Sequence, residues 1–150
     1  MSNLKSAEEP VVRFAKLMAE LYYFMAREMI ERLGQEEGRE AVRAAIKNFG
    51  QARIKAMHEE AKEKGLALND LQTFAQIRDL PMIGWETNPA DPLEVTYCPM
   101  EDVWDQYGAQ ELGALYCEID YLLYEGFGAV LERPACRTSG DKTCKFIPRY

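Results

Sequence analysis

Apolar residues along the first half of the chain repeat with the period of an α-helix. From Val11 to Leu33 they recur every three or four positions, and Gly34 interrupts the run. A second run with the same period covers residues 36–64, and a shorter one begins after Asn69. This pattern predicts a helical hairpin near the N-terminus, followed by a short third helix.

From Pro81 onwards the pattern changes to short segments bounded by turn residues. Leu93, Val95 and Tyr97 alternate with polar residues, which is typical of a strand with one buried face. The predicted elements are strands at 82–86, 93–98, 129–137 and 142–148, and helices at 103–107 and 110–124. We therefore predict an α+β fold, an N-terminal helical hairpin followed by a four-stranded antiparallel sheet with an inserted helix.

The length of 150 residues, with 47% of them apolar, is sufficient for one domain with its own core. No linker rich in proline, glycine or serine separates the two halves of the chain. We predict a single α+β domain over residues 1–150. Residues 1–80 form its helical part, and residues 81–150 form the sheet-plus-helix part that carries the candidate site.

The charge balance narrows the classes of partner. The chain has 25 acidic and 18 basic residues, a net charge of −7, and no basic cluster. We therefore expect neither nucleic acid nor a membrane surface as a partner, because both attract basic proteins. No long uninterrupted apolar stretch and no signal peptide are visible, so we expect a cytoplasmic protein.

A small molecule and a second copy of the chain remain as expected partners. The consecutive aromatic residues Tyr22, Tyr23 and Phe24 lie on the first predicted helix. One small domain cannot bury every face of such a helix, so we expect a homodimer through the N-terminal helices.

All four cysteines, at positions 98, 117, 136 and 144, lie in the second half of the chain. The sharpest pattern among them is Cys117-Glu118-Ile119-Asp120, because positions i and i+3 share one face of a helix. Burial would raise the pKa of Asp120, which suits a general acid or base, and Cys117 would be a nucleophile. A carboxylate alone does not activate a thiol, so a cation such as Arg133 or Arg137 is required. The alternative interpretation is structural, with Cys117 a small core residue and Asp120 a backbone cap.

A zinc site is a second interpretation of the cysteines. Its ligands would be Cys136, Cys144, Cys117 and Glu132, although the chain lacks the close cysteine pair that is usual in structural zinc sites. No cofactor other than zinc is expected. A disulfide between Cys136 and Cys144, eight residues apart, is a third interpretation that the expected compartment disfavours.

Several motifs in the second half of the chain are found together in one enzyme family. They are Cys98-Pro99, Glu111-Leu112, Cys117-Glu118-Ile119-Asp120, Arg133, Gly140-Asp141 and Cys144-Lys145-Phe146. In this order, over roughly residues 93–148, the chain resembles the L-2-amino-thiazoline-4-carboxylic acid hydrolase family. The resemblance implies hydrolytic opening of a small thiazoline or amidine-like ring, with cleavage of a C–N or C–S bond.

The same resemblance implies roles for individual residues. Cys117 would attack or position the ring carbon, and Asp120 would move protons to and from the ring nitrogen. Cys98 and Tyr121 would contact the substrate, and Arg133 would hold a substrate carboxylate.

The final hairpin is also similar to the 4-vinyl reductase domain. The similarity rests on Cys136, which stands before the last turn, and on its eight-residue spacing from Cys144. It implies a different function, a small-molecule-binding domain with a structural zinc and no catalysis. A shared scaffold does not determine activity, so both functions remain open from the sequence.

Overall fold

The structure is a computed structural model that describes residues 8–150. Within this range, six α-helices, four β-strands and one 3₁₀ turn follow one another along the chain. They are α1 Pro10–Leu33, α2 Gln35–Glu63, α3 Leu71–Ile77, β1 Glu86–Asn88, β2 Asp91–Tyr97, α4 Pro99–Tyr107, α5 Gln110–Cys117, α6 Ile119–Glu125, β3 Val130–Ala135, the 3₁₀ turn Arg137–Ser139 and β4 Cys144–Arg149. The predicted α+β fold is confirmed.

The helical hairpin turns at a single residue between α1 and α2. Gly34 has φ 88°, a left-handed conformation that favours glycine, and its N–H donates to the carbonyl of Ile30 at 2.8 Å. Gly38 then lies against α1, because a Cβ there would be 2.5 Å from Cα of Ile30. Gly50 has a similar function on the other side of α2, where a Cβ would be 3.1 Å from Cδ1 of Leu122 in α6. Two glycines therefore allow α2 to pack closely against both neighbours.

The sheet is antiparallel throughout, with strand order β1-β2-β4-β3. The two central strands pair Val95 with Cys144, and β4 pairs Ile147 with Glu132 of β3. The three helices α4, α5 and α6 lie between β2 and β3 in the chain. The sheet with a helical insertion is therefore as predicted, and the chain folds back on itself between its second and third strands.

Two element boundaries differ from the prediction. The first strand begins at Glu86 and not at Met82, because residues 82–85 form a turn. Gly84 has φ 89° in this turn, and the N–H of Trp85 donates to the carbonyl of Met82 at 3.2 Å. The helix predicted at 110–124 divides at Glu118. The series of backbone hydrogen bonds along the helix is interrupted because the carbonyl of Cys117 accepts a hydrogen bond from Nη1 of Arg133, at 3.1 Å. The N–H of Tyr121 donates to Glu118 instead.

One apolar cluster joins the helical part to the sheet-plus-helix part. It includes Tyr23 of α1, Met57 of α2, Trp104 of α4 and Leu131 of β3. A buried ion pair adds to the same contact, because Lys16 of α1 lies 3.1 Å from Asp102 of α4 and is itself buried. Since Asp102 is in the first turn of α4, this pair holds the start of α4 in place.

One face of α1 remains exposed. Its apolar residues are spaced three or four positions apart and are Phe14, Leu17, Leu21 and Met25. Phe14 is 71% exposed and Leu21 is 62% exposed. An apolar stripe of this kind is typical of an interface. No helix within residues 8–150 is long and apolar enough to cross a membrane.

We propose that a second copy of the chain covers this stripe, as the sequence predicts. Light scattering should then give twice the chain mass of 17.2 kDa. The double substitution Phe14→Glu and Leu21→Glu should give a monomer, because it places charge in the apolar stripe. Lys55→Glu, an exposed charge change on α2, is the control and should remain dimeric. A monomeric wild-type protein would contradict the proposal.

Candidate active site

A cavity of about 100 Å³ lies between the sheet and the helices. A single buried water occupies about 10–15 Å³, so this cavity has room for several waters or for a small ligand. Its polar lining residues come from α2, the end of α3, the start of α4, α5, α6, β3 and β4, and are Arg53, Arg78, Cys98, Glu101, Tyr116, Cys117, Asp120, Arg133 and Cys144. Most other lining residues, including Trp85, Met100 and Phe146, are apolar. The cavity is therefore an apolar pocket with a concentrated set of charged groups.

Four residues that were predicted from the sequence line this cavity together. Cys117 ends α5, Asp120 lies in the first turn of α6, Cys98 precedes α4, and Arg133 lies on β3. The break between α5 and α6 does not separate Cys117 from Asp120, because both still contribute to the same wall. The two residues of the Cys-x-x-Asp motif therefore lie side by side at the cavity, as the motif predicts.

Glu101 also lines the cavity, and the sequence analysis missed it. It stands three residues after Cys98, so Cys98-Pro99-Met100-Glu101 repeats the Cys-x-x-acid spacing of Cys117 and Asp120. Pro99 begins α4, and the N–H of Glu101 donates to the carbonyl of Cys98 at 3.0 Å. The repeated spacing was the signal in the sequence, although it does not show that the two motifs face one another.

The carboxyl group of Glu101 is buried and unpaired. The residue is only 4% exposed, and its side chain forms no hydrogen bond or ion pair with any residue in the range 8–150. Burial raises the pKa of Glu101 to about 7, and the positive charge of Arg137 opposes this shift without cancelling it. Glu101 therefore exchanges its proton near neutral pH, which is the range that suits a general acid or base.

Asp120 is held by Arg133. Nη1 of Arg133 donates to Oδ2 of Asp120 at 3.2 Å and to the carbonyl of Cys117 at 3.1 Å, and the guanidinium lies over the ring of Phe146 at 4.7 Å. Burial raises the pKa of Asp120, and the charge of Arg133 is the largest effect in the opposite direction. Among the residues described, Oδ1 of Asp120 receives no hydrogen bond, so one carboxylate oxygen remains available to a ligand.

Arg133 was predicted to hold a substrate carboxylate, and most of its terminal nitrogens already have partners within the described residues. Its terminal nitrogens already contact Asp120, the Cys117 carbonyl and the sulfur of Cys136, and its side chain is buried. The backbone carbonyl, the carboxylate and the sulfur occupy Nη1 and Nη2, whereas the buried Nε has no hydrogen-bond partner within residues 8–150. Arg133 is better described as the residue that positions Asp120.

Of the three arginines that line the cavity, Arg78 is the one that forms no ion pair with another described residue. Arg53 forms two hydrogen bonds with Asp79, at 2.6 and 2.7 Å, and Arg133 pairs with Asp120. Arg78 contacts the ring of Phe74 at 4.8 Å and forms no ion pair with another residue in the described part of the chain. Since Arg78 lines the cavity, its guanidinium is available to an anionic ligand.

The thiols in the cavity wall are held in the neutral form. Burial raises the pKa of Cys117 well above its usual range, and the negative charge of Asp120 raises it further. Burial also raises the pKa of Cys98, to about 11. The charge of Arg133 lowers the pKa of Cys117 but is outweighed, and Arg137 donates to the carbonyl of Thr96. Arg133 therefore does not bring the pKa of Cys117 down to its usual range, and the activation of Cys117 by a cation stays a prediction.

The family model of the L-2-amino-thiazoline-4-carboxylic acid hydrolases matches residues 14–147 of the chain. This match includes every residue that lines the cavity. The chain belongs to this hydrolase family. No curated protein and no solved structure matches this chain. Membership of the hydrolase family extends to the helical half of the chain, which the sequence analysis did not include in the resemblance.

Three of the predicted site residues, Tyr121, Glu132 and Cys136, do not line this cavity. Tyr121 is 43% exposed and lies on the opposite side of α6, beside Arg43 and Glu118. Its predicted contact with substrate is therefore not supported by its position. Glu132 is on the outer face of β3, where it pairs with Arg149 at 2.6 Å. Side chains alternate along a strand, so Glu132 points away from its neighbour Arg133.

The alternative zinc ligands are consequently not assembled. Cys136 and Cys144 are close, with their sulfurs 3.9 Å apart, but Glu132 lies on the other face of the sheet. Within residues 8–150, no group of three or more histidine, cysteine, aspartate or glutamate side chains has the geometry of a metal site. The similarity to the 4-vinyl reductase domain stays a prediction.

Proposed function

We propose that the protein is a hydrolase that opens a small cyclic thiazoline or amidine-like substrate in this cavity. The observation that carries the proposal is that the buried carboxyl group of Glu101 and the half-buried carboxyl group of Asp120 line one cavity together with the unpaired Arg78. The two acids have different surroundings, because Asp120 is paired with Arg133 whereas Glu101 has no partner in the described range. Two acids with distinct environments can take distinct roles in one reaction.

The charges in the cavity are complementary to a ring that carries both an amidine and a carboxylate. The free oxygen of Asp120 can accept a hydrogen bond from an amidine N–H, and Arg78 can pair with the carboxylate at the other end. The apolar wall excludes water around these contacts and strengthens them. Asp120 and Arg78 are therefore proposed as the residues that bind and orient the substrate.

The proposed reaction begins with the attack of water on the ring carbon between sulfur and nitrogen. Glu101 removes a proton from the water, the new C–O bond forms, the C=N electron pair moves to the ring nitrogen, and Glu101 passes that proton to the ring nitrogen. Glu101 then takes the second proton from the new hydroxyl group as the C=O bond forms. The bond from the tetrahedral carbon to the ring sulfur or the ring nitrogen breaks, and the leaving atom receives this second proton from Glu101. Cleavage of the C–S bond gives an N-carbamoyl product with a free thiol. Cleavage of the C–N bond gives an S-carbamoyl product with a free amine.

Incubation with L-2-amino-thiazoline-4-carboxylate tests the proposal directly. Mass spectrometry should detect a carbamoyl-cysteine product, which is the substrate plus one water. A thiol reagent then distinguishes the two cleavages, because only C–S cleavage releases a thiol. Failure of the purified wild-type protein to convert this acid or a related cyclic amidine would contradict the proposed function.

Two substitutions separate binding by Asp120 from attack by Cys117. Asp120→Asn should lower kcat/KM by about 100-fold, since the neutral amide no longer pairs with the amidine. Cys117→Ser should lower it by less than about 10-fold, since the buried thiol is neutral and water is the proposed nucleophile. A much larger loss in Cys117→Ser would contradict the attack by water and favour a thiol nucleophile.

Arg78→Gln should raise KM by about 10-fold or more and change kcat less, because the carboxylate contact is made in both the ground state and the transition state. Steady-state kinetics with the thiazoline acid measure both constants. Arg32→Gln is the matched control, because Arg32 is exposed at the end of α1, pairs with Glu28 and lies outside the cavity. An unchanged KM in Arg78→Gln would contradict the assignment.

A further inference from the structure

Cys136 and Cys144 form a close pair of thiols that the proposed hydrolysis does not use. The two residues flank the last turn of the chain, and their sulfur atoms are 3.9 Å apart without a disulfide bond. A disulfide needs a sulfur separation of about 2.05 Å, so the pair requires an approach of about 2 Å, which side-chain rotation can supply.

The backbone between the two cysteines is well supported. The N–H of Cys136 donates to Oδ2 of Asp141 at 2.9 Å, and the N–H of Asp141 donates to the carbonyl of Cys136 at 3.2 Å. Gly140 adopts φ 93° and closes the 3₁₀ turn between them. The turn therefore keeps the two thiols together before any covalent bond forms.

The two sulfurs have different surroundings. Cys136 is half-buried, and its sulfur lies 2.9 Å from Oγ1 of Thr138 and 3.3 Å from Nη2 of Arg133. Cys144 is buried and lines the cavity, and its sulfur accepts a hydrogen bond from the N–H of Arg137 at 3.3 Å. The hydrogen bond from Cys144 is the largest of the effects that lower the pKa of Cys136, while the pKa of Cys144 is raised. Cys136 is therefore the more reactive sulfur of the pair.

We propose that Cys136 and Cys144 are a redox-active pair that reacts with hydroperoxides and forms a reversible disulfide. The 3.9 Å sulfur separation, the charge of Arg133 and the accessibility of Cys136 carry this proposal. It is independent of the ring-opening activity, because it concerns sulfurs with no assigned role in hydrolysis.

The reaction balances in two steps. The Cys136 thiolate attacks one peroxide oxygen, the O–O bond breaks, and the departing hydroxide takes a proton and leaves as water, so Cys136 becomes a sulfenic acid. The Cys144 sulfur then attacks the Cys136 sulfur, the S–O bond breaks, and a second water leaves. Overall, two thiols are oxidised to one disulfide and one hydrogen peroxide is reduced to two waters.

Oxidation of this pair would also alter the hydrolase cavity. Arg133 contacts both the sulfur of Cys136 and the carboxylate of Asp120, and Cys144 is part of the cavity wall. A disulfide removes the negative charge beside Arg133 and moves the Cys144 sulfur. The redox state of the pair is thereby connected to the position of Asp120.

The test treats the purified full-length protein with hydrogen peroxide under anaerobic conditions and measures intact mass and alkylatable thiols. We expect a mass loss of two hydrogen atoms and two fewer alkylatable thiols, both reversed by dithiothreitol. Cys98→Ser is the matched control and should form the same disulfide. Thr138→Val, which removes the hydroxyl next to Cys136, should react several-fold more slowly.

The two pair variants identify the order of the steps. Cys144→Ser should stop at a sulfenic acid on Cys136, with the mass gain of one oxygen and capture by dimedone. Cys136→Ser should give neither product. The proposal is overturned if the wild-type protein forms only intermolecular disulfides, if peroxide oxidises Cys98 or Cys117 in preference, or if the purified protein holds zinc through this pair.

Discussion

Glu101→Gln is expected to lower kcat for ring opening by about 10²–10⁴-fold, the range typical for the loss of a general acid or base. Glutamine has nearly the shape of glutamate, but it cannot remove a proton from water or return one to the leaving atom. Glu101 is buried in the cavity wall and has no partner in the described range. No contact with another described residue therefore replaces the lost carboxyl group. Steady-state kinetics with the thiazoline acid measure the effect.

The pH dependence distinguishes a catalytic role from a structural one. Wild-type kcat/KM should rise with pH through an apparent pKa of about 7, because the carboxylate of Glu101 is the active form. The same rise should be absent from the residual activity of Glu101→Gln. Glu125→Gln, an exposed acid at the end of α6, is the matched control and should retain both the activity and the pH profile. Full activity in Glu101→Gln would contradict the proposed mechanism.

Glu101→Gln should be more stable relative to the wild-type protein as the pH rises, although it is less active. The pKa of Glu101 is about 7 in the folded protein and lies above its ordinary value of 4.5. The folded state therefore binds the proton more tightly, and the resulting stability is present below about pH 4.5 and is lost as the pH rises through about 7. Glutamine does not titrate, so the free energy of unfolding of Glu101→Gln, compared with wild type, should increase over this pH range. An inactive but stable variant shows that the carboxyl group is used in chemistry.

Trp104→Ala is expected to lower the free energy of unfolding by about 3–5 kcal/mol, the range for removing a buried tryptophan. Trp104 is 0% exposed and packs edge-to-face with Tyr22 at 5.7 Å and beside Tyr116 at 6.3 Å. Gly113 of α5 contacts it so closely that a Cβ would lie 2.7 Å from the indole. Its removal therefore leaves a void between α1, α4 and α5 that the surrounding residues cannot fill.

Denaturant unfolding followed by circular dichroism measures this loss. Tyr150→Ala is the matched control, because Tyr150 is an exposed aromatic residue at the end of the chain, and its change should be close to zero. Tyr116 also lines the cavity, so Trp104→Ala should weaken substrate binding as well. A loss of less than about 1 kcal/mol would contradict the packing described for α4 and α5.

The helical hairpin and the succession of helices and strands along the chain could be predicted because both depend on local patterns. The 3.6-residue period of the apolar positions identifies α1 and α2, and Gly34 marks the turn because its backbone conformation favours glycine. The boundaries of helices and strands were predicted less accurately because they depend on contacts with distant residues. The division of the helix at Glu118, for example, follows from a hydrogen bond by Arg133, fifteen positions further along the chain.

The candidate site could be predicted only in part for the same reason. Cys117 and Asp120 are neighbours on one local segment, so their spacing in the sequence predicts their common wall. Glu101 joins them only through the packing of α4 against α1 and α5. Arg133 and Arg78 differ in their partners and not in their chemistry, so the residue type does not show which of them is free to bind a carboxylate.

The sequence by itself determined the α+β class, the helical hairpin, the hydrolase family resemblance and the cysteine-acid motif, since these depend on residue types and short spacings. Only the tertiary structure decided which charged groups are buried, which are paired and which thiols are close to one another. Burial and distance set the pKa of a group, and both arise from residues far apart in the chain. For this reason the structure moves the proposed proton transfer to Glu101, the carboxylate contact to Arg78 and the reactive thiol to Cys136.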